Sequence, residues 1–271
     1  MPLLHLFILA LIQGVTEFLP ISSSGHLILF PALSGSADQG LVIDVAVHVG
    51  TLGAVVAYFW ADVAPGLAGI PRMLRGRIDT PGSRLAFLLM VATVPVVLVG
   101  LALNLTGLDQ ALRSVQVIGW AMLGFGVVLW WADRRGAQDL RADDWQGDWS
   151  LRHAVVLGLW QVVALIPGTS RSGICITGAR LLGYDRTAAA KLSMLMSIPT
   201  IFASGTLLGA EVAATADWAA ARDGALAAGM AFIAAFAALV LMMRLLRSVS
   251  FTPYVIYRVG FGVFLLIWAY A

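Results

Sequence analysis

Two stretches decide how this chain folds: His5 to Gly35, HLFILALIQGVTEFLPISSSGHLILFPALSG, and His153 to Gly183, HAVVLGLWQVVALIPGTSRSGICITGARLLG. A shift of 148 residues lays one over the other without a gap. Identical polar or turn residues then coincide at His5/His153, Gln13/Gln161, Ser22/Ser170, Ser24/Ser172, Gly25/Gly173 and Gly35/Gly183. Matching leucines prove little in apolar sequence; matching His, Gln, Ser and Gly at one fixed offset mark an internal duplication. Each copy is an apolar run, a Pro/Ser/Gly cluster and a second, shorter apolar run. An arm of about 10 helical residues climbs about 15 Å, half of a bilayer's hydrocarbon core. Proline and glycine break the helix, and irregular backbone at membrane depth survives only where protein or water satisfies it. Both stretches are therefore expected to be re-entrant helix–loop–helix hairpins, 5–35 and 153–183.

The rest of the chain supports a membrane setting. Of 271 residues, 60% are hydrophobic and 12% are charged, against about 25% charged in soluble domains. Mean hydropathy is +0.89. Apolar stretches of spanning length run roughly 41–60, 84–106, 115–132, 187–210, 224–246 and 253–270. The start, Met1-Pro2-Leu3-Leu4-His5, lacks a basic n-region and reads as mature structure. A lone cysteine, Cys175, allows no internal disulfide.

With two hairpins returning to the side they entered, six full spans remain, and the basic residues gather on one face. Arg72, Arg75, Arg77, Arg84, Arg134, Arg135, Arg141 and Arg152 lie there, joined by Arg186, Lys191, Arg244, Arg247 and Arg258 near later ends; Arg113 and Arg222 lie opposite. The rich side is expected to be cytoplasmic. The hairpins then enter from opposite sides, which is an inverted-topology repeat. The expected fold is an all-α polytopic membrane domain over 1–271. Residues 1–132 form the first repeat, 133–152 a cytoplasmic linker, and 153–271 the second repeat.

Two returning helices would begin just after the Ser-rich loops, pointing amide-bearing N-termini at one another. Such ends attract anions, phosphate above all. Ser22, Ser23, Ser24, Thr169, Ser170 and Ser172 are more hydroxyls than capping requires, and Arg171 adds a planar fork suited to phosphate. Arg171 is also expected to pair with Glu17 when no ligand is bound. Gln13 and Glu17, four apart, share one helix face. An oxygen-rich site beside phosphate suits Mg²⁺ or Ca²⁺, whereas the chain has no thiolate or histidine cluster for structural zinc. The pseudo-equivalent of Glu17 is Leu165, and that of Arg171 is Ser23, so the halves have diverged into an acidic and a basic side. His26, next to the serines, suits proton transfer or attack on phosphorus. His5, His48 and His153 read as structural, and Asp44 with His48 is a weak signal. Cys175 and the tryptophans read as packing.

These residues resemble the undecaprenyl-diphosphate phosphatase, or bacitracin-resistance, family. Gln13 through His26 is similar to its Glu/Gln-x-x-x-Glu motif running into a Ser-Gly-His loop. Pro167-Gly168-Thr169-Ser170-Arg171-Ser172-Gly173, with Thr177, is similar to its Pro-Gly-x-Ser-Arg-Ser motif. Ser193 through Pro199 and Phe251 through Arg258 match more weakly. The resemblance implies hydrolysis of C55 polyprenyl diphosphate to the monophosphate and inorganic phosphate. This recycles a carrier lipid for peptidoglycan and confers bacitracin tolerance. The family's site needs a divalent cation and faces the periplasm from the bacterial inner membrane. Position 13 is Gln rather than the first Glu of the motif, which shifts metal binding onto Glu17. Glu17, His26, Arg171 and Ser23 are the expected catalytic residues, with His26, Ser23 or water as nucleophile. Ser22, Ser24, Gly168, Thr169, Ser170, Ser172 and Thr177 are expected to hold the diphosphate. A polyprenyl diphosphate lipid and the membrane are the expected partners, a homodimer is allowed, and nucleic acid is not expected. The competing class is a secondary transporter or flippase for an anionic lipid or small anion, since inverted repeats with broken helices also build transporters.

Overall fold

The computed structural model describes residues 2–35, 39–135, 149–215 and 218–271. Every element among them is helical: α1 (Leu3–Thr16), α2 (Ser23–Ser34), α3 (Leu41–Tyr58), α4 (Trp60–Leu74), α5 (Pro81–Thr106), the single turn α6 (Leu108–Ala111), α7 (Val115–Arg135), α8 (Leu151–Val162), α9 (Arg171–Leu181), α10 (Arg186–Thr215), α11 (Trp218–Leu245) and α12 (Thr252–Tyr270). Five of these, α3, α5, α7, α11 from Ala220, and α12, are long and apolar enough to cross a bilayer. The sixth expected stretch, 187–210, lies within the 30-residue α10. Large apolar side chains such as Leu98, Trp120, Ile233 and Ile256 face outward. That arrangement suits a lipid surround. The protein is an all-α, multi-pass membrane protein.

Short helices interrupt the long ones where the sequence places its Pro/Ser/Gly clusters. α1, α2, α8 and α9 have 14, 12, 12 and 11 residues, too few for about 30 Å of hydrocarbon. The two breaks have the same local form. Ser22 and Ser170 both hold a left-handed φ, +75° and +70°. Each side chain accepts the backbone N–H three residues on, from Gly25 and from Gly173. Left-handed backbone is uncommon for a residue with a Cβ, so its recurrence at equivalent positions is strong conformational support for the duplication. Gly35 and Gly183, the matched ends of the two stretches, also have positive φ.

Backbone contact between helices is very close. A Cβ placed on Gly50 of α3 would lie 2.1 Å from the Ala228 carbonyl oxygen of α11, and one on Gly14 of α1 would lie 2.6 Å from Ala234 Cβ. Small residues allow this approach without side-chain entropy cost. Gly50→Ala is accordingly expected to lower the unfolding temperature in detergent by several degrees. Gly53→Ala, whose Cβ would meet only the Phe232 ring at 3.3 Å, should cost less.

Three features depart from the expectations. The stretch after α3 is not a plain Arg-rich loop: α4 occupies Trp60–Leu74, and its Gly69 lies against Gly82 and Ser83 at the start of α5. Arg72 then donates to both Asp79 oxygens, at 3.0 and 2.6 Å. Those bonds hold the Asp79 carboxyl below its ordinary pKa. The expected linker 133–152 starts inside α7, and its residues 136–148, Arg141 among them, lie outside the described residues. Arg258, expected among the basic residues of one face, is fully buried within the protein. A further buried cluster ties four helix ends together. Asp133 of α7 receives Arg180 of α9 at 3.2 Å, Arg186 of α10 at 2.8 Å, and the Phe251 amide before α12 at 3.3 Å.

Candidate active site

Glu17 lies just past the last turn of α1, where the macrodipole disfavours a carboxylate, and it is 8% exposed. Its stabilisation comes from three directions. Arg171 Nη2 donates to Oε1 at 2.8 Å, while Gln13 Nε2 and Ser23 Oγ donate to Oε2 at 2.9 and 2.6 Å. His48 Nε2 stands 3.9 Å from Oε2. The acidic and basic sides read from the duplication thus meet, because the break after α1 and the break before α9 abut. Ser172 Oγ bonds the Leu19 carbonyl at 2.9 Å.

Arg171 is the first residue of α9, and its side chain is 14% exposed. Its Nη1 donates to the Ser193 carbonyl at 3.1 Å, in the motif segment that matched only weakly. A guanidinium has five N–H donors; two are engaged by described residues, which leaves directions open toward a ligand. Ser193 Oγ in turn donates to the Ser172 carbonyl. Ser22 and Ser170 are consumed as caps, and each also contacts the serine two residues on. Ser24 is exposed and Ser172 buried. Thr177 is spent on the Gly173 carbonyl. Thr169 Oγ1 is buried without a partner. Gly168, with φ +91°, presses on Ile118 so closely that a Cβ would lie 2.5 Å from its carbonyl oxygen.

His26 stands beside the Glu17–Arg171 pair without joining it. It bonds neither Glu17 nor Arg171. Nδ1 lies 2.6 Å from the Ser22 carbonyl and Nε2 lies 2.5 Å from the Tyr257 hydroxyl. The ring also stacks near-parallel with Tyr257 and Phe261 of α12. The imidazole facing the carboxylate is His48, read from sequence as structural. Arg258 was likewise missed as a site residue. It donates to the Pro20 carbonyl of one break and to the Gly168 and Thr169 carbonyls of the other, at 3.4, 3.2 and 2.7 Å.

A divalent ion can be tested against these groups. Among the described residues no set of three or more His, Cys, Asp or Glu side chains is grouped to enclose an ion. Glu17 does, however, sit beside Gln13 Oε1, a buried acceptor with no donor. Mg²⁺ is commonly held by one or two carboxylates and completed by substrate phosphates. The residues fit a cation shared with a phosphorylated ligand, and they do not fit an all-protein cage.

Fold and site together define a polytopic membrane protein with a carboxylate and a guanidinium paired at the junction of two helix breaks. A family model described as bacitracin resistance protein BacA matches residues 6–264, and the chain belongs to that family. Proteins named undecaprenyl-diphosphatase align with it from end to end. Those of Ruegeria pomeroyi, Dinoroseobacter shibae and a Jannaschia species are 69%, 70% and 67% identical over 271 residues, covering 100% of both chains in each case.

Proposed function

We propose that this protein hydrolyses undecaprenyl diphosphate to undecaprenyl phosphate and inorganic phosphate, recycling the carrier lipid and conferring bacitracin tolerance. The observation that carries the reading is the Glu17–Arg171 pair with Ser23 attached, set between two serine-capped helix starts. A guanidinium and helix N-termini hold phosphoryl oxygens. A hydroxyl already donating its proton to a carboxylate is positioned to attack phosphorus. In this scheme Ser23 Oγ forms a bond to the terminal phosphorus and its proton passes to Glu17. The bridging P–O bond breaks, and undecaprenyl phosphate leaves against Arg171. Water then cleaves the phosphoserine and releases inorganic phosphate. His26, with both ring nitrogens engaged, orients the first loop rather than attacking. Glu17 and Gln13 Oε1 would hold a divalent cation, which would supply charge neutralisation for the phosphoryl oxygens.

The matched breaks at Ser22 and Ser170 support two re-entrant hairpins in an inverted repeat, with α3, α5, α7, α10, α11 and α12 as six spans. The basic residues around α4–α5, the end of α7 and the start of α10 support a cytoplasmic face there. The site then faces the periplasm from the inner membrane. An apolar groove of about 350 Å³ beside the second break, bordered by Val117, Trp120, Phe125 and Ile166, suits part of an isoprenoid chain.

Purified protein in detergent, where no gradient can exist, is expected to release phosphate from undecaprenyl diphosphate when Mg²⁺ or Ca²⁺ is present. Wild-type inactivity across several polyprenyl diphosphates and both metals would instead favour a transporter.

A further inference from the structure

His48 is an imidazole that the family motifs omit, yet it faces the Glu17 carboxylate, and its surroundings fix what it can offer. Nδ1 lies 2.7 Å from the Asp44 carbonyl oxygen. A carbonyl only accepts, so Nδ1 carries the proton and, in the neutral ring, Nε2 presents a lone pair. That nitrogen lies 3.9 Å from Glu17 Oε2, a distance too long for an N–H···O hydrogen bond in the protonated ring as well. A third acceptor belongs to the same group. The Gln13 amide donates its nitrogen to that carboxylate oxygen, leaving buried Oε1 with no donor.

The carboxylate is already held by Arg171, Gln13 and Ser23, but the nitrogen lone pair and the amide oxygen beside it have no donor, and a cation would satisfy both. A histidine whose other N–H is fixed by a backbone carbonyl is in the usual configuration of a metal ligand. Two metal–donor bonds of about 2.1 Å reach across at most about 4.2 Å, so an ion between His48 and Glu17 requires little movement. The supporting turn is itself braced, since Gln39 Nε2 donates to Asp44 Oδ1 at 2.8 Å.

We propose that His48 Nε2, Glu17 and Gln13 Oε1 form a mixed nitrogen–oxygen cation site, completed by phosphate oxygens of the substrate. This rests on the reading of Glu17 as the metal-holding carboxylate and extends it to a ligand outside the two motifs. The consequence is a shift in metal preference. Mg²⁺ and Ca²⁺ favour oxygen donors, whereas an imidazole adds affinity for first-row transition ions, of which Mn²⁺ is the one that also suits an oxygen-rich site.

The test uses the full chain in detergent with Mn²⁺ alone, read by electron spin echo envelope modulation and by titration of free Mn²⁺. Wild type is expected to show ¹⁴N coupling from a directly bound imidazole. His48→Gln and His48→Asn should both lose that coupling and bind Mn²⁺ roughly tenfold or more weakly, with unchanged unfolding temperatures, since this side chain is 36% exposed. Glu17→Gln should abolish binding. Mn²⁺ bound without nitrogen coupling, or coupling that survives both His48 variants, overturns the assignment of His48 and leaves Glu17 standing. Absence of Mn²⁺ binding in wild type overturns both.

Discussion

Arg258→Met is expected to be the most damaging single substitution in the protein, lowering stability by more than about 3 kcal/mol and turnover at least a hundredfold. The guanidinium is wholly buried. Its donors are spread over carbonyls from three places: Ala121 and Met122 in α7, Pro20 after α1, and Gly168 and Thr169 before α9. The α7 carbonyls belong to a helix that can satisfy them in other ways. Those of Pro20, Gly168 and Thr169 lie in the breaks, where no helical ladder supplies a donor. A buried acceptor left unsatisfied costs about 1–3 kcal/mol, so three together approach the stability of a whole domain. Activity should fall as well, since the same bonds hold the Glu17 side and the Arg171 side in register. Arg258→Lys should not rescue, because a single ammonium cannot replace a fork that spans both breaks. Thermal unfolding in detergent and phosphate release check both halves of this statement. A variant that melts and turns over like wild type would falsify it.

The role of Arg258 also shows where sequence reading stopped. Six residues into an apolar helix, an arginine reads as a charge near the end of a span. Only the three-dimensional path of the chain reveals that both breaks arrive beside it, one 238 and the other about 90 residues away. His26 and Tyr257 pose the same problem, with 231 residues between hydrogen-bonding partners. The breaks themselves were legible because they are local: Pro20 and Pro167 followed by Ser and Gly end one helix and start the next. The Glu17–Arg171 contact was legible because the duplication places the two Pro/Ser/Gly clusters together, and only one copy carries an acid beside its cluster while only the other carries a base within it. α4 carries Pro65 and Pro71 in its interior, which work against a helix. It persists because Gly66 and Gly69 let it lie directly on α5, a tertiary contact that overrides local propensity. His48 was discounted as one of several scattered histidines; its relation to Glu17 depends on how α3 packs beside α1.

Neutralising Glu17 and Arg171, singly and together, provides the sharpest test of chemistry against mere support. A buried ion pair is expensive to break from one side, about 3–5 kcal/mol, because the surviving charge is left uncompensated; removing both partners is often close to neutral. Glu17 and Arg171 have side chains only 7% and 14% exposed, so this asymmetry should apply near its lower end. Glu17→Gln and Arg171→Gln are each expected to destabilise the protein. The double variant should recover most of the lost stability, since two amides can hydrogen-bond where the ions did. Turnover should follow a different pattern. Each single variant is expected to lose about 10²–10³ in kcat, the cost of removing one group that stabilises transition-state charge. The double variant should stay as inactive as the worse single, because restored packing supplies neither a proton acceptor for Ser23 nor a cation for the leaving phosphate. Unfolding temperatures and single-turnover phosphate release for the four proteins separate the outcomes. If the refolded double variant regained turnover along with stability, the pair would be a strut between two helix breaks, and the chemistry would have to be sought on other residues.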